Sequence, residues 1–197
     1  MEDGLSSRAL SYEEEVSLDE LIKETENSSE FEDTVDAEIH GRDNYDIVVN
    51  GILKTQTHGP LEFYEQTIWA GDLTKKFPDP LEKQGFFTIK GNQPKGVGAA
   101  VVYNGKNSED VECGWLLAFT DSDNNGGRKV IVDCGLLTKF ENICWDTIEE
   151  KLIKFGKTTA IHEDPATGTK VIAKITVSPS GNGCTPDKDK VVATFYC

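Results

Sequence analysis

The chain has 197 residues, with 35 acidic and 20 basic side chains and a formal net charge of −15 at neutral pH. Fifteen of those acids and three of the bases (Arg8, Lys23 and Arg42) lie in residues 1–43, which leaves the rest of the chain nearly balanced. Neither part offers the basic stripe that a nucleic-acid partner requires, and no run approaches the roughly 20 apolar residues of a membrane-spanning helix.

The start, "MEDGLSSRALSYEEEV", has neither a basic leader nor an apolar core, so no secretory signal is expected. Five widely spaced cysteines (Cys113, Cys134, Cys144, Cys184 and Cys197) suit reduced thiols and a cytoplasmic or nuclear protein. Residues 1–43 are acidic, serine-rich and poor in aromatics, which predicts a mostly disordered acidic arm. Within it "SLDE" (17–20) has capping-box spacing, and Leu18, Leu21 and Ile22 share one helical face. A short helix over 18–25 follows, with residues 17–25 able to fold on a protein partner or on their own domain.

Residues 44–197 are expected to form one β-sandwich domain. Short β-type runs recur at 45–53, 61–69, 85–90, 96–105, 113–120, 128–135, 158–162, 170–178 and 190–196, parted by turn-rich segments. About nine short strands without alternating helices point to a mainly β fold, an antiparallel sandwich. One α-helix is predicted over about 142–155, with Cys144, Ile148, Leu152 and Phe155 at helical spacing.

The motifs name no reaction. "TDSDNNGG" (120–127) opens like a calcium loop, but its twelfth position from Asp121 is Val132 and its flanks have strand character. A hairpin tip is the stronger reading, with calcium at Asp121 and Asp123 as the weaker alternative. "FGKTT" (155–159) lacks the upstream glycine of a phosphate loop, and "GVGAA" (96–100) lacks the third glycine of a dinucleotide site. His40, His58 and His162 stand at no familiar metal-ligand spacing. Cys134 or Cys144 with a distant histidine would be the route to an enzyme, but a packed thiol is the usual occupant of an apolar stripe. No cofactor and no catalytic residue are assigned. The aromatics offer two readings: a core between two sheets, or a ligand groove or membrane contact formed by Trp69, Trp115, Tyr103 and Phe119.

Three stretches, "EFYEQTIWAGDLTKKFPDPLEKQGFFTIKG" (62–91), "GAAVVYNGKNSEDVECGWLLAFTDS" (98–122) and "FENICWDTIEEKLIKFG" (140–156), resemble the plant jasmonate-induced protein family. The likeness spans roughly residues 45–178; the acidic arm and the C-terminal end depart from it. More distantly, the strand order is similar to that of aegerolysins and actinoporin-like proteins, β-sandwiches that bind membrane lipids. The resemblance implies a non-enzymatic stress or defence protein that binds a protein, carbohydrate or lipid ligand. The alternative it implies is a lipid-binding or membrane-damaging protein that docks through exposed aromatics.

Overall fold

The computed structural model describes residues 8–30, 45–178 and 187–197. His40, Cys184 and the predicted arm outside 8–30 lie beyond the described residues.

The chain is mainly β, with ten strands in two sheets and two α-helices among the described residues. In order these are α1 (Tyr12–Asn27), β1 (Ile47–Gln56), β2 (Glu62–Ala70), β3 (Asp72–Lys75), β4 (Gln84–Gly91), β5 (Val97–Lys106), β6 (Glu112–Ser122), β7 (Gly127–Leu136), α2 (Trp145–Phe155), β8 (Thr159–Asp164), β9 (Thr169–Ser178) and β10 (Asp187–Tyr196). One sheet runs β3-β4-β1-β10-β9-β8 and the other β2-β5-β6-β7. Their facing side chains form one core, including Val49, Phe87, Val101, Trp115, Phe119 and Val191. The sandwich-like layering follows the expectation. One pairing does not: β1 and β10 run parallel in the middle of the six-stranded sheet.

β6 shows why the alternation of a half-buried strand fades here. Cys113, Trp115, Leu117 and Phe119 face the shared core, while Leu116 and Ala118 on its other side lie beneath Phe140 and α2. A strand covered on both faces is apolar at nearly every position. The turn after it is the predicted hairpin, with Ser122 opposite Gly127 and both Gly126 and Gly127 at positive φ. β3 is the strand that sequence reasoning missed. "DLTK" carries one apolar residue, and Gly71, at φ 89°, turns the chain out of one sheet into the other. Gly51 meets a different demand, because a Cβ there would fall 1.9 Å from the Phe87 ring.

Two helix expectations need correction. α2 begins at Trp145, because Cys144 is extended and serves as the N-cap; of the predicted stripe Leu152 is buried and Ile148 half-buried, while Cys144 and Phe155 are exposed. The second correction is larger. Among the described residues there are two α-helices. The short helix expected over 18–25 is longer, a four-turn helix over residues 12–27, and it docks on the outer face of the six-stranded sheet where a mostly disordered arm is expected. Its capping box is Ser11 with Glu14: Ser11 N–H donates to the Glu14 carboxylate at 2.8 Å, and Glu14 N–H donates to Ser11 Oγ at 3.3 Å. Ser17 lies inside the helix. Leu18 and Leu21 are fully buried against Ile52, Ile161, Ile172 and Val192. Burying each leucine stabilises the docked helix by roughly 1.5–3 kcal/mol, which a short acidic helix in water lacks.

Candidate ligand cleft

A cavity of about 400 Å³ opens at one end of the sandwich, where the β1–β2 turn meets the end of β5 and the start of β6. The β5–β6 loop is held by one side chain. Asn107 is buried; its Oδ1 accepts from the N–H groups of Glu109 and Val111 at 3.0 and 2.9 Å, and its Nδ2 donates to the Thr167 carbonyl at 2.8 Å. The loop thereby carries Asp110 at φ 63°, with its carboxylate 2.8 Å from the Lys106 ammonium. Asn107→Ala strands these three backbone groups and is expected to cost about 1–3 kcal/mol of stability. Urea unfolding measures it, and a loss below a few tenths would refute the role given to Asn107.

The cleft presents His58, Glu62, Asn104, Lys106 and Glu112. Among the described residues the side chains of Asn104 and Glu62 make no hydrogen bond or ion pair. Amide, carboxylate, ammonium and imidazole groups around a space of this size suit the donors and acceptors of a hydroxyl-rich or zwitterionic ligand. His58 Nδ1 also lies 3.4 Å from Cys197 Sγ, a pairing that the separation in sequence conceals.

The residues singled out from sequence lie elsewhere. Trp115, Tyr103 and Phe119 are fully buried in the shared core and present no surface in this conformation. Tyr103 O–H donates to the Pro78 carbonyl at 2.7 Å, and burial pushes its phenol pKa up. Trp69 alone of the four is half-buried, on the outer face of the four-stranded sheet with Tyr64 and Trp145. Its Nε1–H is buried without an acceptor among the described residues. It sits at the far end of the β2–β5 pair from the cleft, since Glu62 pairs with Asn104 and Ala70 with Gly98.

Asp121 and Asp123 do not converge. Asp123 begins an exposed 3-10 turn, whereas Asp121 is buried 3.5 Å from the Arg128 guanidinium. Arg128 also donates to Asp189 Oδ1 at 2.9 Å. Asp189 Oδ2 is buried without a hydrogen-bond partner among the described residues. Burial and then Asp121 raise the Asp189 pKa to about 8. Among the described residues no three His, Cys, Asp or Glu side chains gather as a metal site.

The thiols sort by environment. Burial pushes Cys134 up to about 12 and also raises Cys113. Cys134 Sγ meets the His162 backbone carbonyl at 3.7 Å, and the His162 ring faces Asp133 at 3.2 Å. Cys144 is exposed at the α2 N-cap, where a hydrogen bond with Thr147 lowers its pKa. Native alkylation is therefore expected to label Cys144 well before Cys113 and Cys134. Peptide mapping by mass spectrometry reads the order, and early labelling of Cys134 would contradict it.

No protein-family model matches the sequence. A jasmonate-induced protein homolog from Atriplex canescens is 35% identical over 133 residues, covering 64% of this chain and 70% of that protein. The crystal structure of the lipid binding protein Nakanori is similar in fold, with a TM-score of 0.61 over 99% of this chain and 92% of that one. At 10% identity the second likeness concerns the fold alone.

Proposed function

The chain belongs to the jasmonate-induced protein family, and from that premise we propose that it is a stress- or defence-related binding protein that works without catalysis. Its ligand is hydroxyl-rich or zwitterionic, a glycan or a lipid headgroup, and it enters the cleft between His58 and Glu112. The observation that carries this reading is the set of uncommitted polar groups, Asn104 and Glu62 foremost, at a cavity whose loop is fixed by Asn107. The raised thiol of Cys134 supports the non-catalytic part, because a neutral thiol is a weak nucleophile, while Cys144, exposed and with a lowered pKa, does not line the cleft.

A second reading keeps the lipid and moves the contact. Trp69, with Tyr64 and Trp145 beside it, supplies an amphipathic aromatic group at the surface that suits a membrane interface. Nakanori's name as a lipid binding protein makes lipid worth testing. The chain, Asn104→Ala and Trp69→Ala are compared on a glycan panel and by co-sedimentation with vesicles of several lipid classes. Binding lost in Asn104→Ala but kept in Trp69→Ala is expected. The reverse pattern selects the membrane-docking reading, and no binding to either panel sinks both.

Cytosolic or nuclear residence belongs to the same proposal and is supported by the free thiols of Cys113, Cys134, Cys144 and Cys197. A fluorescent fusion found outside the cell would overturn it.

A further inference from the structure

The outer face of the six-stranded sheet carries an aliphatic centre of Ile52, Ile161, Ile172 and Val192, drawn from β1, β8, β9 and β10. Lysines surround it. Lys170 and Lys174 stand on β9, Lys190 on β10 and Lys75 on β3, and each meets a carboxylate from the N-terminal segment. Lys170 pairs with Glu14 at 3.1 Å, Lys174 with Asp19 at 2.7 Å, Lys75 with Glu30 at 2.6 Å, and Lys190 with Glu26. Gln84 on β4 adds a hydrogen bond to Glu24 at 3.0 Å. Four of the fifteen acids of residues 1–43, which together made the segment resemble a solvated arm, are thus matched to lysines of this sheet face.

The match is good in charge and sparse in apolar contact. Leu18 and Leu21 are the fully buried apolar residues of α1, and Tyr12 and Val16 are left exposed. A cavity of about 360 Å³ remains between its last turns and β4, beside Lys23, Asn27 and Phe86. Two leucine anchors with a carboxylate frame describe an amphipathic-helix ligand of the helix-in-groove kind. The face holds such a helix from its own chain and leaves room for a better-filling one.

We propose that this sheet face is a receptor for acidic amphipathic helices, that α1 occupies it in cis, and that a partner protein presenting two leucines three residues apart among carboxylates displaces α1. The proposal is independent of the cleft, which lies at the end of the sandwich. A lipid bilayer is disfavoured as occupant because the ion pairs select carboxylates at helical spacing.

The test uses the full chain and a fluorescein-labelled peptide of residues 8–30. In the chain carrying Leu18→Asp and Leu21→Asp, α1 is unseated. That variant is expected to bind the peptide roughly tenfold more tightly than the unaltered chain, whose face is already occupied. Added salt weakens the binding, and Lys174→Glu with Lys190→Glu in the same variant abolishes it. A folded double variant that binds the peptide no better than the unaltered chain overturns the proposal. So does one that sediments with phosphatidylserine vesicles while ignoring the peptide. Should the double variant fail to fold, hydrogen exchange on the unaltered chain decides. Excess peptide is expected to speed exchange in residues 12–27, and unchanged exchange there overturns the proposal.

Discussion

Trp115→Ala is expected to lower the unfolding free energy by about 3–5 kcal/mol, the range for emptying a large aromatic site in a closed core. The ring is fully buried between two cross-strand neighbours, Tyr103 on β5 and Cys134 on β7. Its Nε1–H donates to the Tyr196 carbonyl at 3.1 Å, so it also joins β6 to the opposite sheet. Truncation opens a cavity and removes a donor at once. Trp115→Phe separates the two effects, because it keeps most of the volume and loses the hydrogen bond; about 1–2 kcal/mol is expected from it. Urea midpoints at unchanged slope measure both. A loss under about 1 kcal/mol for Trp115→Ala would contradict a core position.

The second large effect depends on pH. Asp189 has a folded pKa of about 8 against an ordinary 3.8, so between those values the folded state holds a proton that the unfolded state has released. Stability is then fully present below about pH 3.8 and is lost as pH rises through 8, with a slope of at most about 1.4 kcal/mol per unit. Arg128 is the cation that faces the Asp189 carboxyl, and it opposes the rise in its pKa. Arg128→Met is expected to cost about 3–5 kcal/mol at pH 9, where a buried carboxylate would stand without its partner. At pH 6 the cost is smaller, because the raised pKa keeps the Asp189 carboxyl neutral there. Asp189→Asn should flatten the decline between about pH 4 and pH 8. Thermal unfolding at the two pH values gives the comparison, and equal losses for Arg128→Met at both would dismiss the raised Asp189 pKa.

The legible parts of the fold share a physical cause. β5 and β6 stand out because both faces of the four-stranded sheet are covered, so their apolar runs are long. The hairpin at Asn125–Gly127 is legible because positive φ restricts which residues can turn there. β3 is too short and too polar to be distinguished from a turn. The length and docking of α1 beyond the expected 18–25 escaped sequence reasoning for a deeper reason. Glu14, Asp19 and Glu26 look like solvation until they meet Lys170, Lys174 and Lys190, which lie some 155 positions or more away. Local composition carries no trace of a long-range partner.

The candidate site was the least legible. Asn107 is one of many loop asparagines by sequence, and only its contact with Thr167 marks it as the residue that shapes the cleft. The aromatic residues drew attention by size, but size favours the core, and Trp115, Tyr103 and Phe119 are there. Trp69 differs because β2 is an edge strand with half-buried residues along most of its length.

The parallel pairing of β1 with β10 also sets an order of events. Ile47 pairs with Asp187, 140 positions later, and β10 separates β1 from β9 in the finished sheet. The six-stranded layer therefore cannot close until residues 187–196 have been made. The pairing that completes it joins distant segments, the kind of step that slows folding. A chain interrupted before β10 would not be a smaller domain. It would display two open strand edges from the middle of a sheet, where edges invite another molecule to pair.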